Sequence, residues 1–407
     1  MVDLGERATT EEVPDGYRMT ELGVLPEDWR VVRLTELAYV RYGKARPQSS
    51  GVVPVVGSGG VYGYSGDALV QGPTIVVGRK GTAGISYLFH EPCWPSDTTF
   101  YLDWRSSDVL PNFLYNWMRL RPLSGKEAQT TLPSLQKPVL ENLLVPLPPL
   151  PEQRAIAHVL STVQRAREAT EAVIAATREL KRSLMRHLFT YGPVPLDQVA
   201  GVRLKETEIG FVPEGWDIRP LGKIAAIERG KFTHRPRNDP AYYGGDTPFI
   251  QTGDVTASNG VVRSYSQTLS ERGLSVSRIF PEGTIVITIA ANIGYTAILG
   301  FDSAFPDSLI GITPCPGVQT RFLNYYLMTQ QSAMDRAAPR GTQKNINIQF
   351  LSPWLVPVPP PSDQAAIESA IRAVDQKLMA AENGYEVLNM ISRAALSGLM
   401  SGRIRAQ

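Results

Sequence analysis

The sequence predicts an α+β protein: two mixed α/β modules in a pseudo-two-fold arrangement, joined by two long helices that form an antiparallel coiled coil. Three observations carry this. Residues 152–191 contain no Gly or Pro and place apolar side chains at helical spacing. Residues 361–404 carry apolar residues at alternating steps of four and three, the rhythm of a coiled-coil seam. Most of the chain is also written twice.

The first stretch brings Ile156, Val159, Leu160, Val163, Val173, Ile174, Leu180 and Leu184 into a 3.6-residue pattern. At about 1.5 Å per residue it spans roughly 60 Å, too long for one core to bury, so it needs a partner along its length. The second stretch supplies one, with its seam running through Ile367, Ile371, Val374, Leu378, Leu388 and Leu399 against Ile156, Val163, Leu184 and Leu188. A charge at Val163 or Val374 is expected to cost several kcal/mol as a buried, unpaired ion. Gly384 lies inside the second helix, a local cost of about 1 kcal/mol, at a bend of the seam or an approach of a partner.

The duplication is legible in two phrases. TELGVLPEDW, beginning at Thr20, returns as TEIGFVPEGW at Thr207, a shift of 187 (207 − 20) that also relates Gly43 to Gly230 and Lys44 to Lys231. LLVPLPPLPEQ, ending at Gln153, returns as WLVPVPPPSDQ ending at Gln364, a shift of 211 (364 − 153), so the second copy gains 24 residues (211 − 187) between its anchors. Strand-like runs at 52–56, 74–77, 247–251 and 283–289, and helical stretches at 111–120 and 320–331, mark each copy as a mixed α/β module followed by a long helix. The middles share little beyond Pro54/Pro248 and Gly59/Gly253, so a repeated scaffold carries divergent inserts.

Composition excludes several classes. A length of 407 residues with 43% hydrophobic content suits two or more globular domains; no run approaches 18 apolar residues and the N-terminus lacks a signal peptide, so a cytoplasmic protein with no membrane partner is expected. Two cysteines and four scattered histidines make neither a disulfide framework nor a zinc site, and no metal is expected. Net charge is only +2, yet basic residues gather at Lys44/Arg46, Arg79/Lys80, Arg178/Lys181/Arg182/Arg186 and Arg229/Lys231/Arg235/Arg237. The sum argues weakly against nucleic acid, while the clustering leaves room for a basic face.

The two T-E-[LI]-G-x-x-P-E-x-W openings, the two proline segments and GTQKNINIQFL at 341–351, with its looser counterpart TTLPSLQKPVL at 130–140, make the chain resemble the specificity subunits of type I restriction-modification systems from about residue 17 to 404. The resemblance implies target recognition domains at 17–150 and 193–360, spacer helices at 151–192 and 361–407, and a disordered leader at 1–16. Each recognition domain is expected to read half of a bipartite, asymmetric site in double-stranded DNA, with the coiled coil as ruler. Partners are implied to be two modification subunits that methylate adenine with S-adenosylmethionine, and restriction subunits that use ATP and magnesium. No catalysis and no cofactor is implied for this chain itself, which has no G-x-x-x-x-G-K-[ST] loop and no [DN]-P-P-[FYW] tetrapeptide.

Bases are read by Arg, Lys, Asn, Gln, Ser and Thr, and phosphates by Arg, Lys and Gly-rich backbone. On that chemistry the first module offers Arg79, Lys80 and Thr82 on the turn GRKGTAG, then Lys44, Arg46, Ser58, Gln129, Thr131 and Lys137. The second offers Arg229, Lys231, Thr233, Arg235 and Arg237, then Gln251, Thr252 and Asn292, and above all Arg340, Gln343, Lys344 and Asn345 in RGTQKNIN. Solvated turns explain several of these equally well. Two other functions stay open: a protein-interaction scaffold, which the low net charge favours, and an enzyme with its site in one module.

Overall fold

The opening phrase folds as a tight hairpin because Thr20 closes its own turn. The Thr20 hydroxyl accepts from the Leu22 N–H at 3.1 Å and donates to the Gly23 carbonyl at 2.7 Å, and Gly23 takes φ +96°, open to glycine without a Cβ clash. This hairpin of β1 (Tyr17–Thr20) and β2 (Gly23–Pro26) starts the first of two units into which the chain divides, Met1–Ala172 with Glu382–Gln407 and Val173–Ala381. The computed structural model describes residues 13–121, 123, 134–234, 236–290, 292–339 and 344–406. Residues 1–12 of the expected leader, and Gln129, Thr131, Arg235, Arg340 and Gln343, lie outside the described residues.

In the first unit the hairpin leads through β3 (Arg30–Arg33), the single turn α1 (Leu34–Leu37) and β4 (Ala38–Tyr42). There follow β5 (Val53–Gly57), β6 (Gly60–Ser65), β7 (Thr74–Gly78), β8 (Ser86–Phe89), β9 (Trp94–Pro95) and β10 (Thr99–Trp104). They form an antiparallel sheet of order β4-β10-β7-β8 and a smaller one of order β6-β5-β9. The β-branched run TIVVG of β7 is buried throughout, as a central strand should be. α2 (Pro111–Leu120) lays Phe113, Leu114, Trp117 and Met118 on the core, and α3 (Lys137–Glu141) precedes β11 (Leu144–Leu147). β11 is the proline segment, and it pairs with β3 in a two-stranded ladder where the missing N–H of Pro146 is tolerated. α4 (Leu150–Tyr191) begins immediately afterwards and continues into the second unit.

The second unit repeats the plan with β12 (Leu204–Thr207), β13 (Gly210–Pro213), β14 (Asp217–Pro220), α5 (Leu221–Ile224) and β15 (Ala225–Arg229). Next come β16 (Tyr243–Phe249), α6 (Thr252–Ala257), β17 (Val261–Val262), β18 (Gln267–Leu269), α7 (Glu271–Ser275), β19 (Ile279–Phe280), β20 (Ile285–Thr288), β21 (Thr296–Leu299), β22 (Ser303–Ala304) and β23 (Leu309–Pro314). After α8 (Thr320–Ala337) and α9 (Ile348–Leu351), β24 (Leu355–Val358) pairs with β14 and α10 (Pro361–Met400) begins. The main sheet has order β15-β23-β20-β21-β17, the same arrangement as β4-β10-β7-β8 with one strand added, so the middles share a topology that their residues do not show. β15 follows β4 at a shift of 187 (225 − 38) and β23 follows β10 at 210 (309 − 99), so almost all the extra residues of the second copy enter between these strands, where its second sheet, β18-β16-β22-β19, is built.

The two repeated phrases meet in space. In the first unit the fully buried Trp29 donates its indole N–H to Glu152 of the proline segment at 2.9 Å; in the second, Trp216 donates to Asp363 at 3.1 Å. The following glutamine is buried in both. Gln153 accepts from Leu110 N–H and donates to the Asp108 and Pro148 carbonyls, each at 2.8 Å, joining the start of α4 to the approach of α2. Gln364 accepts from Gln319 N–H at 2.8 Å and donates to Gly317 at 3.0 Å and Pro359 at 2.9 Å, the same device before α8.

The long helices pair antiparallel within each unit. In the first, Ile156 and Leu160 share a core with Leu399 and Met400, and the Arg167 guanidinium lies 5.7 Å from the Tyr385 ring centre. In the second, Met185 and Leu188 pack with Ile367 and Ile371, and Lys181 bonds Asp375 at 2.7 Å while the Tyr325 hydroxyl donates to the same carboxylate at 2.8 Å. Of the expected seam, Ile156, Leu188, Ile367, Ile371, Val374, Leu378 and Leu399 are buried, whereas Val163, Leu184 and Leu388 are half-buried. Val159, Val173 and Leu180 are 39–55% exposed and stand outside the seam. Water therefore reaches Val163, and the cost expected for a charge falls on Val374 alone. α10 runs unbroken through Gly384, around which there is open space.

In the first unit the C-terminal segment closes back onto the opening phrase. Tyr17 donates its hydroxyl proton to Gly402 O at 2.8 Å, and Arg405 holds Glu152 through both carboxylate oxygens at 2.7 and 2.9 Å and Asp28 at 2.7 Å. The cysteines differ: Cys93 is buried, which pushes its thiol up to about 12, and Cys315 is exposed. A thiol reagent at pH 8 is expected to label Cys315 in the native protein and both cysteines in urea; native labelling of Cys93 would contradict this packing.

Candidate nucleic-acid interface

In the first unit the candidate residues converge on one loop, Ser96 to Thr98, that joins β9 to β10. Lys44 bridges to Ser96, Ser58 N–H lies 3.4 Å from the Thr98 hydroxyl oxygen, and Arg79 and Lys80 donate their main-chain N–H groups to Thr98 O at 2.9 and 3.2 Å. The Arg79 guanidinium donates to Asp97 O at 3.2 Å and lies 5.0 Å from the ring centre of the half-exposed Tyr42, which Lys137 also approaches at 5.8 Å. Arg46 sits 6.0 Å from the Tyr62 ring centre. Thr82 and Lys80 are exposed on the turn after β7, which is tied to the segment before α3 by the Lys80–Ser134 bridge and by Leu135 N–H to Arg79 O at 2.8 Å. Cations and hydroxyls thus share a surface with three exposed tyrosines, 42, 62 and 64, a composition suited to phosphates, base edges and stacking.

The equivalent loop organises the second unit. Arg229 donates to Asp307 O at 2.6 Å, Arg237 pairs with the Asp307 carboxylate, and Lys231 N–H donates to Phe305 O. Thr233 lies beside Val276 at the same edge. Gln251 and Thr252 follow β16, where Ile250 N–H bonds Ala304 O at 2.8 Å. Ile289 N–H donates to Ser308 O, and the turn holding exposed Asn292 is tied to Asn345 by the Ala290–Asn345 bridge; Lys344 beside it pairs with Asp335 at 2.8 Å. The ion pairs of Arg237, Lys344 and Lys137, the last with Glu141 at 3.0 Å, are partly exposed and stabilise little, so an incoming phosphate can replace their carboxylates.

The loop 96–98, its counterpart 306–308, the three tyrosines and Gln267, described below, were not singled out by sequence. SDTT at 96–99 and PDSL at 306–309 are alike only in Asp97/Asp307 and a hydroxyl residue next to it, too little to stand out without the strand alignment. Among the described residues no three His, Cys, Asp or Glu side chains are grouped to hold a metal, and no helix is long and apolar enough to cross a membrane.

The family profile of the type I restriction modification DNA specificity domain matches this chain twice, over residues 26–176 and 213–387. The chain belongs to that family. DNA sequence recognition is accordingly the function of this specificity subunit. The MjaVIII type I restriction enzyme specificity subunit of Methanocaldococcus jannaschii is 22% identical over 418 residues, spanning 94% of each chain. A second relative from that organism, assigned to the MjaX type I restriction enzyme as its specificity subunit, is 25% identical over 275 residues, spanning 67% of this chain and 62% of its own length. Among solved structures, the type I S subunit of M. genitalium superposes with a TM-score of 0.62 at 17% identity, over 91% of this chain and 96% of that one, a likeness of fold. Each matched segment of this specificity subunit contains its buried tryptophan, Trp29 or Trp216, and the carboxylate and glutamine that answer it, so the repeated phrases are parts of the scaffold that carries the candidate loops.

Proposed function

We propose that each unit reads one half of a bipartite, asymmetric DNA site. The observation that carries this is convergence: polar groups from separate sheets gather about the same loop in both units, on the same strand order, while the residues themselves differ. Two readers of different half-sites need a shared scaffold with different polar groups. Lys44, Arg46, Arg79, Lys80 and Lys137, with Arg229, Lys231, Arg235, Arg237, Arg340 and Lys344, are assigned chiefly to phosphates. Ser58, Thr82, Gln129, Thr131, Thr233, Gln251, Thr252, Asn292, Gln343 and Asn345 are assigned to base edges or nearby backbone.

α4 and α10 serve as the spacer between the half-sites and as the dock for two adenine methyltransferase subunits, to which restriction subunits add. Support comes from Val387, Met390 and Ile391 of α10, 54%, 71% and 47% exposed at i, i+3 and i+4, an apolar strip that pairing leaves open. Catalysis, with S-adenosylmethionine, ATP and magnesium, belongs to those partners, and this chain works in the cytoplasm. The test mixes the purified chain with its methyltransferase subunit and S-adenosylmethionine and maps methylated adenines across a DNA library. Methylation confined to a gapped, asymmetric motif supports the reading; no methylation and no stable complex overturns it.

Two variants refine it. Arg79→Ala with Lys80→Ala is expected to lower the slope of log affinity against log salt by about 2, one for each phosphate that the chain no longer neutralises; an unchanged slope removes that turn from the interface. Met390→Asp is expected to weaken methyltransferase binding at least about tenfold, as removal of a buried apolar anchor does, without a shift in Tm. Undiminished binding would move the dock elsewhere.

A further inference from the structure

In the second unit, the cleft lined by Phe232, Arg237, Tyr243, Phe249, Gln251 and Gln267 has a volume of about 310 Å³. The main chains of both glutamines are held. Gln267 opens β18 in register with Phe249 of β16, and Gln251 donates its main-chain N–H to the Asp254 carboxylate at 2.7 Å, one residue after Ile250 is bonded to Ala304. Between them Gln251 Nε2 donates to Gln267 Oε1 at 3.0 Å across an exposed gap. No core packing requires this pair: its hydrogen bond is exposed where the two side chains line the cleft, and a surface amide hydrogen bond of this kind stabilises a fold little.

Pairing orders two side chains that would otherwise sample many rotamers, so the entropic cost of presenting them to a ligand is already met. It also decides what they present. With one N–H of Gln251 and one lone pair of the Gln267 oxygen engaged, the Gln251 carbonyl stays available as an acceptor and the Gln267 amide as a donor, beside one further N–H and one further lone pair. Exchanging O and N in both amides still leaves one acceptor beside one donor, with the roles of the two glutamines exchanged. In the major groove adenine shows a donor at N6 beside an acceptor at N7, whereas guanine shows two acceptors, cytosine a donor alone, and thymine an acceptor beside a methyl group.

We propose that the Gln251–Gln267 pair is an adenine reader: Gln251 Oε1 accepts from N6–H and Gln267 Nε2 donates to N7 of one adenine in the half-site of the second unit. The inference rests on the second unit being a DNA reader. Guanine at that position sets its O6 acceptor against the Gln251 acceptor and is bound less well than adenine.

The test uses the full chain with its methyltransferase subunit on randomised DNA, comparing wild type with Gln251→Ala, Gln267→Ala and the double variant. Expected is a loss of preference for adenine by about tenfold at one position of one half-site, with all other positions kept and the double variant no worse than either single one. A second readout places 7-deazaadenine at that position: it should weaken binding by wild type and leave Gln267→Ala unaffected, because only N7 has been removed. If the variants bind DNA and keep the wild-type preference at every position, the adenine reader is overturned while DNA reading stands. If the wild-type complex shows no sequence preference, DNA reading by this chain is overturned and the pair's role with it.

Discussion

Gln153→Ala is expected to destabilise the first unit by about 3–5 kcal/mol, lowering its Tm by roughly 10 °C. The residue is fully buried, and its amide satisfies the Leu110 N–H and the Asp108 and Pro148 carbonyls. Truncation leaves the buried Pro148 carbonyl and the part-buried Leu110 N–H and Asp108 carbonyl without this partner and opens a cavity beside them, and each orphaned group costs on the order of 1–3 kcal/mol less whatever water recovers. Gln153→Glu fares little better, since a carboxylate accepts from Leu110 but cannot donate to the two carbonyls. Gln364→Ala should do the same to the second unit through Gln319, Gly317 and Pro359. Urea unfolding followed by fluorescence of Trp29 and Trp216 variants separates the units. A change below about 1 kcal/mol in either would show that the amide is not needed to join the helix starts.

Glu152→Gln is expected to cost about 2–3 kcal/mol in the first unit, whereas Asp363→Asn should cost the second unit only about 1 kcal/mol. Glu152 is 7% exposed and accepts three hydrogen bonds, one from Trp29 and two from the Arg405 fork, whereas Asp363 accepts from Trp216 and the neighbouring Ser362. Hydrogen bonds to Glu152 and then to Asp28 push the Arg405 guanidinium above its ordinary, already very basic value. A group raised in the folded state stabilises fully below its unfolded value and loses this only as pH climbs past it, so Arg405 contributes across the whole working pH range. Arg405→Lys keeps the charge and loses the fork, and should retain about half of the effect. Equal losses for Glu152→Gln and Asp363→Asn, measured by thermal unfolding at pH 7, would refute the asymmetry.

The first long helix was legible because 40 residues without Gly or Pro leave few alternatives, the second because its apolar residues step by four and three, and α2 was legible to the residue because Pro111 marks its first turn. The phase of the seam was harder. Val159, Val173 and Leu180 fit a helical period as well as Ile156 and Leu188, and only the partner decides which stripe is covered. The repeated phrases announced themselves as a duplication but not as a mechanism: Trp29 and Glu152 are 123 residues apart, and nothing local says that an indole N–H will need that carboxylate. The shared strand order of the middles was hidden because a strand needs alternation and burial more than any particular residue. The candidate interface was half visible. Its cations and Gly-flanked turns stand out in sequence, whereas the loops that gather them, and Gln267 as the partner of Gln251, emerge only from strand register.

The way the first unit is closed sets an order of events during synthesis. The second unit is one uninterrupted stretch, Val173–Ala381, while the first needs both Met1–Ala172 and Glu382–Gln407. Tyr17 meets Gly402 across 385 positions and Asp28 meets Arg405 across 377, pairings that cannot form until residues 402–405 have left the ribosome. The half of the molecule made first is therefore the half finished last. Until then Trp29, Leu25 and the first turns of α4 lack the Leu399, Met400 and Arg405 that cover them, and a nascent chain is vulnerable to aggregation at this uncovered core.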